Sequence, residues 1–178
     1  MSRGLSSNIK TELAKTSFVM AHLVKLEFNT TYYYTDFSSD VVDGSDTYSA
    51  NGFLQKMSSI SESAGLTIGS LSLSLSGVDQ TLISDILNNG HIHRQITVKR
   101  AFINASTNAL IESFSIYSGR VEGMDIADND KTSMINFQVA NHWGDFARLA
   151  GRRTNSGSQN QFFPNDKGFD FITQSNIN

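Results

Sequence analysis

Seven consecutive residues, Ser70-Leu71-Ser72-Leu73-Ser74-Leu75-Ser76, alternate serine and leucine without a fault. Successive side chains of a strand point to opposite faces, so this run has one wholly aliphatic face and one wholly hydroxyl face. A helix would scatter the same leucines around its circumference. The chain must therefore supply a sheet for this strand to join and a core for its leucines to enter, while the serine face meets water or a polar neighbour.

The rest of the sequence offers the partners. Val24, Leu26 and Phe28 alternate with Lys25 and Glu27, which predicts a half-buried strand from about Phe18; Tyr32-Tyr33-Tyr34-Thr35 continues as a second strand after an Asn29-Thr30-Thr31 turn. Asp40 to Asp46 carries Asp-Gly and Ser-Asp turn chemistry, and Thr47-Tyr48-Ser49-Ala50 returns as a strand. Gln95 to Ile103, Ile111 to Val121 and Lys131 to Val139 read as an antiparallel meander, its last turn at Asp128-Asn129-Asp130. Two short helices interrupt this β-pattern. Ser6 to Lys15 has a hydroxyl cap and the stripe Leu5, Ile9, Leu13, which suits a docking helix; Asp79 can cap a helix through Leu82, Ile83, Ile86 and Leu87 that stops at Asn88-Asn89-Gly90. The expected fold is all-β, β-rich with two or three short helices, as a sandwich or barrel. Residues 1–150 form its β-rich domain with the N-terminal docking helix. Residues 151–178 are expected as an extended polar arm, nearly free of apolar residues before Phe162 and Phe163 provide an aromatic anchor.

Composition removes several function classes. The chain has no cysteine, which excludes disulfides, thiolate zinc sites, iron–sulfur clusters and a cysteine nucleophile. Fourteen basic against seventeen acidic residues give a net charge of -3, unlike the basic excess of a general nucleic-acid binder. Ser, Thr and Asn supply 53 of the 178 residues, so much of the polar surface is uncharged. No apolar run approaches the roughly 20 residues of a membrane-spanning helix, and Met1-Ser2-Arg3-Gly4 does not lead into a signal-peptide core, so no membrane partner and no export by that route are expected.

No catalytic constellation stands out. His91 and His93 could share one side of a strand as metal ligands, but only His22 and His142 remain to complete a set, and two polar side chains at a strand entrance explain them as well. Asp125, Asp128 and Asp130 alternate like a calcium loop without its glycine and bidentate glutamate, which favours a hairpin turn. There is no Gly-x-Ser-x-Gly elbow, Walker loop or Gly-x-Gly-x-x-Gly. No enzyme activity and no cofactor are therefore expected. Arg148, Arg152 and Arg153 form a basic cluster able to grip a phosphate or a partner's carboxylate, or to remain a solvated loop or a subunit contact. Tyr32 to Tyr34 and Trp143 could stack on a sugar, which keeps a carbohydrate-binding β-sandwich as an alternative; alternating aromatics also fill edge-strand interfaces.

Three stretches in order carry a resemblance. The first joins the N-terminal helix to Leu23-Val24-Lys25-Leu26-Glu27-Phe28, Tyr34-Thr35-Asp36 and Tyr48-Ser49-Ala50-Asn51-Gly52. The second is Leu73-Ser74-Leu75-Ser76-Gly77 with its helix. The third runs Ser118-Gly119-Arg120-Val121-Glu122-Gly123-Met124-Asp125-Ile126, then Arg152-Arg153-Thr154 and Gln159 to Phe171, with Phe162-Phe163-Pro164-Asn165-Asp166-Lys167-Gly168-Phe169 at its centre. Together they resemble the tail-tip or baseplate hub proteins of long-tailed bacteriophages and gene transfer agents. Such a resemblance implies a virion structural protein with a domain related to tail-tube proteins, set in a homo-oligomeric ring, a trimer before a hexamer. Its partners would be the distal tail or tail-tube protein on one side and a central fibre, receptor-binding or other hub protein on the other. Genomic DNA would pass without specific binding, and assembly would take place in the host cytoplasm. A Gly119-Arg120 hairpin and the residues Arg152, Arg153, Phe162, Phe163, Pro164, Asp166, Gly168 and Phe169 are the expected motif and interface positions. Larger relatives carry a cysteine-rich C-terminal segment, in the lambda-type tail tip an iron–sulfur site; without cysteine, no cluster is expected here.

Overall fold

The computed structural model describes residues 6–60, 69–76, 80–128, 133–141, 144 and 156–168. The chain divides into two compact units, Met1–Phe146 and Ala147–Asn178. In the first, α1 (Ser7–Leu13) precedes β1 (Val19–Glu27), β2 (Thr31–Thr35), the short pair β3 (Val41–Asp43) and β4 (Asp46–Tyr48), β5 (Leu54–Met57) and β6 (Ser70–Ser76). Then follow α2 (Gln80–Asn89), β7 (Gln95–Ile103), β8 (Leu110–Asp128) and β9 (Ser133–Asn141). The expected all-β architecture with short helices is what the chain adopts.

Seven strands form one sheet in the order β2-β1-β7-β8-β9-β6-β5, every neighbouring pair antiparallel. Leu71, Leu73 and Leu75 of β6 are fully buried, as their alternation demands. They share one core with Val24, Leu26 and Phe28, with Ile96 and Val98, and with Ile135, Phe137 and Val139. Residues from opposite ends of the strand order thus meet, which requires the sheet to curl: the rings of Phe28 and Phe137 lie 5.6 Å apart, and Tyr34 of edge strand β2 meets Phe53, beside edge strand β5, at 5.9 Å. Burying each large aliphatic side chain contributes about 1.5–3 kcal/mol, so this cluster dominates the fold.

The reading of β1 as a half-buried strand needs correction. Its second face also buries Ala21 and Leu23, which pack with Ala101, Ile103, Val41 and Tyr48. The cover is the β3–β4 hairpin. Its first strand, Val41–Asp43, falls inside the stretch expected to be a turn; the actual reversal is Gly44-Ser45, where Gly44 takes φ +65°. Three residues carry too little pattern to announce a strand. Strand β5 is equally silent in the sequence and forms because β6 offers it an open edge.

Both helices of this unit are where the sequence places them. Ser6 caps α1 by accepting from the Ile9 N–H at 3.3 Å, and its hydroxyl also bonds Glu112 of β8. Ile9 is buried whereas Leu13 is exposed, as a helix docked by one face should be. In α2, Leu82 and Ile86 enter the main core, Ile83 is half-buried and Leu87 points to water. Gly90 at φ +73° ends the helix in the left-handed conformation expected of that position. Its expected cap, Asp79, lies outside the described residues, as do Trp143 and residues 129 and 130 of the last turn.

Candidate functional site

Strand β8 is the longest element, 19 residues, and it changes partners along its length. Leu110 to Arg120 pairs with β7, and Gly119 to Asp128 pairs with β9. The expected Gly119-Arg120 hairpin is therefore corrected: both residues sit in mid-strand at the exchange, and the chain does not reverse there. Gly119 is needed for a different reason. A Cβ on it would lie 2.3 Å from the Ala140 carbonyl oxygen and 2.9 Å from the Tyr117 ring, so only glycine lets β9 approach this closely. The Tyr117 hydroxyl stands within hydrogen-bond reach of the carbonyls of Gly69 (3.0 Å) and Val139 (2.9 Å), tying β8 to β9 and to the segment entering β6. Burial, helped by the Glu122 charge, pushes this phenol up to about 12. Bulges at Ile111, Ile116 and Glu122 bend the strand around the core.

The exchange leaves two consequences on the surface. Pairing between β7 and β8 ends at Gln95–Arg120, with Arg94 and Val121 adding one bond beyond it. Among the described residues, 122–128 then pair on the β9 side alone. That free edge carries Glu122 and Asp125, and Ile126 is exposed on it. Next to it, the polar face of β6 and β9 is an uncharged ladder: Ser72 donates to Gln138 at 2.9 Å and Ser74 to Asn136 at 2.6 Å. The hydroxyl face read from the sequence is thus bonded across strands.

Two carboxylates hold neighbouring pieces in place. Asp85 of α2 accepts from the Thr30 N–H at 3.0 Å and from Asn89 at 2.7 Å, locking the β1–β2 turn to the helix. The Thr30 bond, outweighing burial, holds its carboxyl below the usual range. Asp43 accepts from Lys99 and from Ser113, both at 2.8 Å; burial would raise it, yet these bonds hold it low.

In the second unit, the stretch expected as an extended arm contains a helix, α3 (Ser156–Phe162). The correction has a local cause: the helix is closed by a compact turn that the sequence motif encodes. The Phe163 N–H reaches the Gln159 carbonyl at 2.9 Å, Asn165 takes φ +75°, and the Asp166 carboxylate accepts from Gln159 at 2.7 Å and from the Gly168 N–H at 2.8 Å. Asp166 and Gly168 are therefore scaffold residues that shape the turn around Pro164. What the turn presents is Phe162 and Phe163, 61% and 58% exposed, an unusual investment of aromatic surface in water. Arg152, Arg153 and Phe169, with Arg148, lie outside the described residues.

The other sequence candidates disperse. His91 and His93 lie in the α2–β7 turn, not on a strand; His93 takes φ +64° and its N–H bonds the Val121 carbonyl at 2.8 Å. Asp125 and Asp128 belong to β8 itself. The tyrosine run is no open platform, because Tyr34 is buried against Tyr32 and Phe53. Sequence reasoning missed the Asp36–His22 pair, in which the carboxylate accepts from the ring at 2.8 Å and from the His22 N–H at 2.7 Å. Its partners are 14 residues apart with no spacing that marks them. With Lys56 and Met57 they line a small pocket between β1 and β5.

Known proteins resemble this chain in sequence and fold. Residues 6–140 match the family described as baseplate hub protein, N-terminal attachment domain. The baseplate hub protein pb3 of Escherichia phage T5 is 31% identical over 139 residues, 71% of this chain and 14% of the T5 protein's length. Among solved structures, a chain of the virion of native gene transfer agent (GTA) particle superposes with a TM-score of 0.65 at 12% identity, covering 84% of this chain and 49% of that one, which shows a shared fold. With the family match spanning the sheet from α1 through most of β9, the chain belongs to the phage baseplate hub protein family, through its N-terminal attachment domain.

Proposed function

We propose that the protein is a non-enzymatic structural subunit of a virion tail tip, forming a homo-oligomeric ring between the distal tail or tail-tube protein and a central fibre or other hub protein. The observation that carries this reading is the match of residues 6–140 to an attachment domain. Other features agree with it. The free edge of β8 at 122–128 and the edge strand β5 belong to opposite parts of the sheet, so pairing one with the other on a neighbouring copy is a heterologous contact, the kind that closes into rings. The family resemblance favours three copies in such a ring before six. Phe162 and Phe163 would anchor on a neighbouring subunit or hub protein, where burying such aromatics gives interfaces most of their energy. A weakly acidic chain lining part of the conduit would let genomic DNA pass without holding its phosphates.

Purified tails imaged by electron microscopy should show the protein as a ring at the tail end. A protein that stays monomeric in mass photometry at high concentration and with tail proteins added would overturn the proposal. Phe162→Ser with Phe163→Ser should leave the melting curve unchanged and weaken incorporation into tails; unchanged incorporation would remove the anchor from the proposal. The carbohydrate-binding alternative loses its main support with Tyr34 buried.

A further inference from the structure

The chain contains two Asn-Gly pairs, Asn51-Gly52 and Asn89-Gly90. In this dipeptide nothing on the glycine shields its backbone nitrogen, which can reach the preceding side-chain amide. Both asparagines are exposed, so access to water does not distinguish them. Their conformations and bonding do.

Asn89 is the last residue of α2, and its Nδ2 donates to the Asp85 carboxylate at 2.7 Å. Helical backbone keeps the side chain directed away from the following nitrogen, and the bond to a buried carboxylate fixes it there. Asn51 lies in the irregular link between β4 and β5. Its Oδ1 accepts from the Phe53 N–H at 3.1 Å, which folds the side chain back over the Gly52 peptide. Gly52 takes φ +74° and its N–H has no partner among the described residues. The Phe53 N–H points at the oxygen where negative charge would develop during attack on Cγ, as an oxyanion donor does.

We propose that Asn51 is a site of spontaneous deamidation, and that the fold protects Asn89. The Gly52 nitrogen, giving its proton to solvent base, forms a bond to Asn51 Cγ; the Cγ–Nδ2 bond breaks and Nδ2 leaves as ammonia after taking a proton from water. Water then opens the resulting succinimide at either carbonyl, leaving at this position an ordinary aspartate or its iso form, whose backbone runs through the side-chain carbon. The net change is one water consumed and one ammonia released. Asp43-Gly44, the related pair, is protected in another way: isomerisation needs the neutral carboxyl, and Lys99 and Ser113 hold Asp43 ionised. The iso product lengthens the backbone two residues before Phe53, whose ring meets Tyr34 where the sheet edges approach. The modification would therefore act on the seam of the curled sheet as the protein ages.

The test is peptide mapping by mass spectrometry of the full chain, incubated folded in mildly alkaline buffer and, in parallel, unfolded in urea. In the folded protein the Asn51 peptide should gain the amide-to-acid mass increase, as separable aspartate and iso-aspartate forms, at least several-fold faster than the Asn89 peptide. In urea the two should react at similar rates. Asn89 reacting as fast as Asn51 in the folded protein, or Asn51 inert when folded yet reactive in urea, would overturn the proposal. Asn51→Ser should abolish the product while preserving the melting curve; iso-aspartate formation persisting at this link in that variant would equally refute it.

Discussion

The main core and the patch under the β3–β4 hairpin lie on opposite faces of the same two strands, β1 and β7, yet they are built on different terms. Inside, Val24, Leu26, Ile96 and Val98 meet the β6 leucines, and the stabilisation is spread over many aliphatic contacts. Outside, a cover of only two three-residue strands rests on Val41, Tyr48 and the Asp43 contacts with Lys99 and Ser113. Tyr48 is fully buried there, its hydroxyl without a partner among the described residues, and burial, reinforced by Asp43 and Asp46, makes it much harder to ionise. The core spreads its stabilisation over many apolar contacts across the whole sheet, whereas the small lid is held locally by a few polar anchors.

That difference can be broken from either side. Leu73→Ala, in the middle of the inner core, should cost about 2–5 kcal/mol and lower the urea midpoint of the whole unit, because the cavity cannot collapse within a curled sheet. If only the hairpin loosened, the two patches would not be separate. Asp43→Ala should cost less, about 1–3 kcal/mol, and act locally: hydrogen exchange should quicken in β3 and β4 while the amides of β6 and β9 keep their protection. Uniform loss of protection would show that the hairpin is part of the main cooperative unit.

Acid should have a smaller effect, at the hairpin and at the α2 contact with the β1–β2 turn. The folded state holds Asp43 and Asp85 below their unfolded values, so their contributions are complete above the ordinary carboxylate range and fade as pH falls through the lowered values. Stability measured from neutral pH downward should therefore fall, and Asp43→Asn should flatten part of that fall; an unchanged pH profile in the variant would assign the dependence elsewhere. The smallest change is expected for Tyr48→Phe. Removing a hydroxyl that lacks a partner should shift stability by no more than about 0.5 kcal/mol, in either direction. A loss well beyond that would mean the hydroxyl has a partner in solution.

How far the sequence can be read follows from the same contrast. The β6 alternation, the nine residues of β7 and the cap and stop of α2 are local patterns, and each element appears where its residues put it. Val41–Asp43 and Leu54–Met57 are too short to have a period, and they are strands because a neighbouring edge completes their hydrogen bonds. Gly119 is conspicuous in the sequence for the wrong reason. A glycine beside an arginine looks like a turn, and nothing local says that the Ala140 carbonyl will press against it. The Asp166 turn shows the opposite case, since the bonds that shape it run between residues of Gln159 to Gly168, close together in the sequence.

By itself, then, the sequence determined the period of the strands, the two N-terminal-unit helices, the absence of thiol chemistry and the likeness to baseplate hubs. Those properties reside in residue identity and spacing. Tertiary structure alone decided that β1 would be covered on both faces, that β8 would pass from one partner to the other at Gly119, and which Asn-Gly pair would be left reactive. The first two depend on backbone brought together from far along the chain, and the third on how each asparagine's side chain is bonded within its own turn or helix, none of which the Asn-Gly or Gly-Arg spelling encodes.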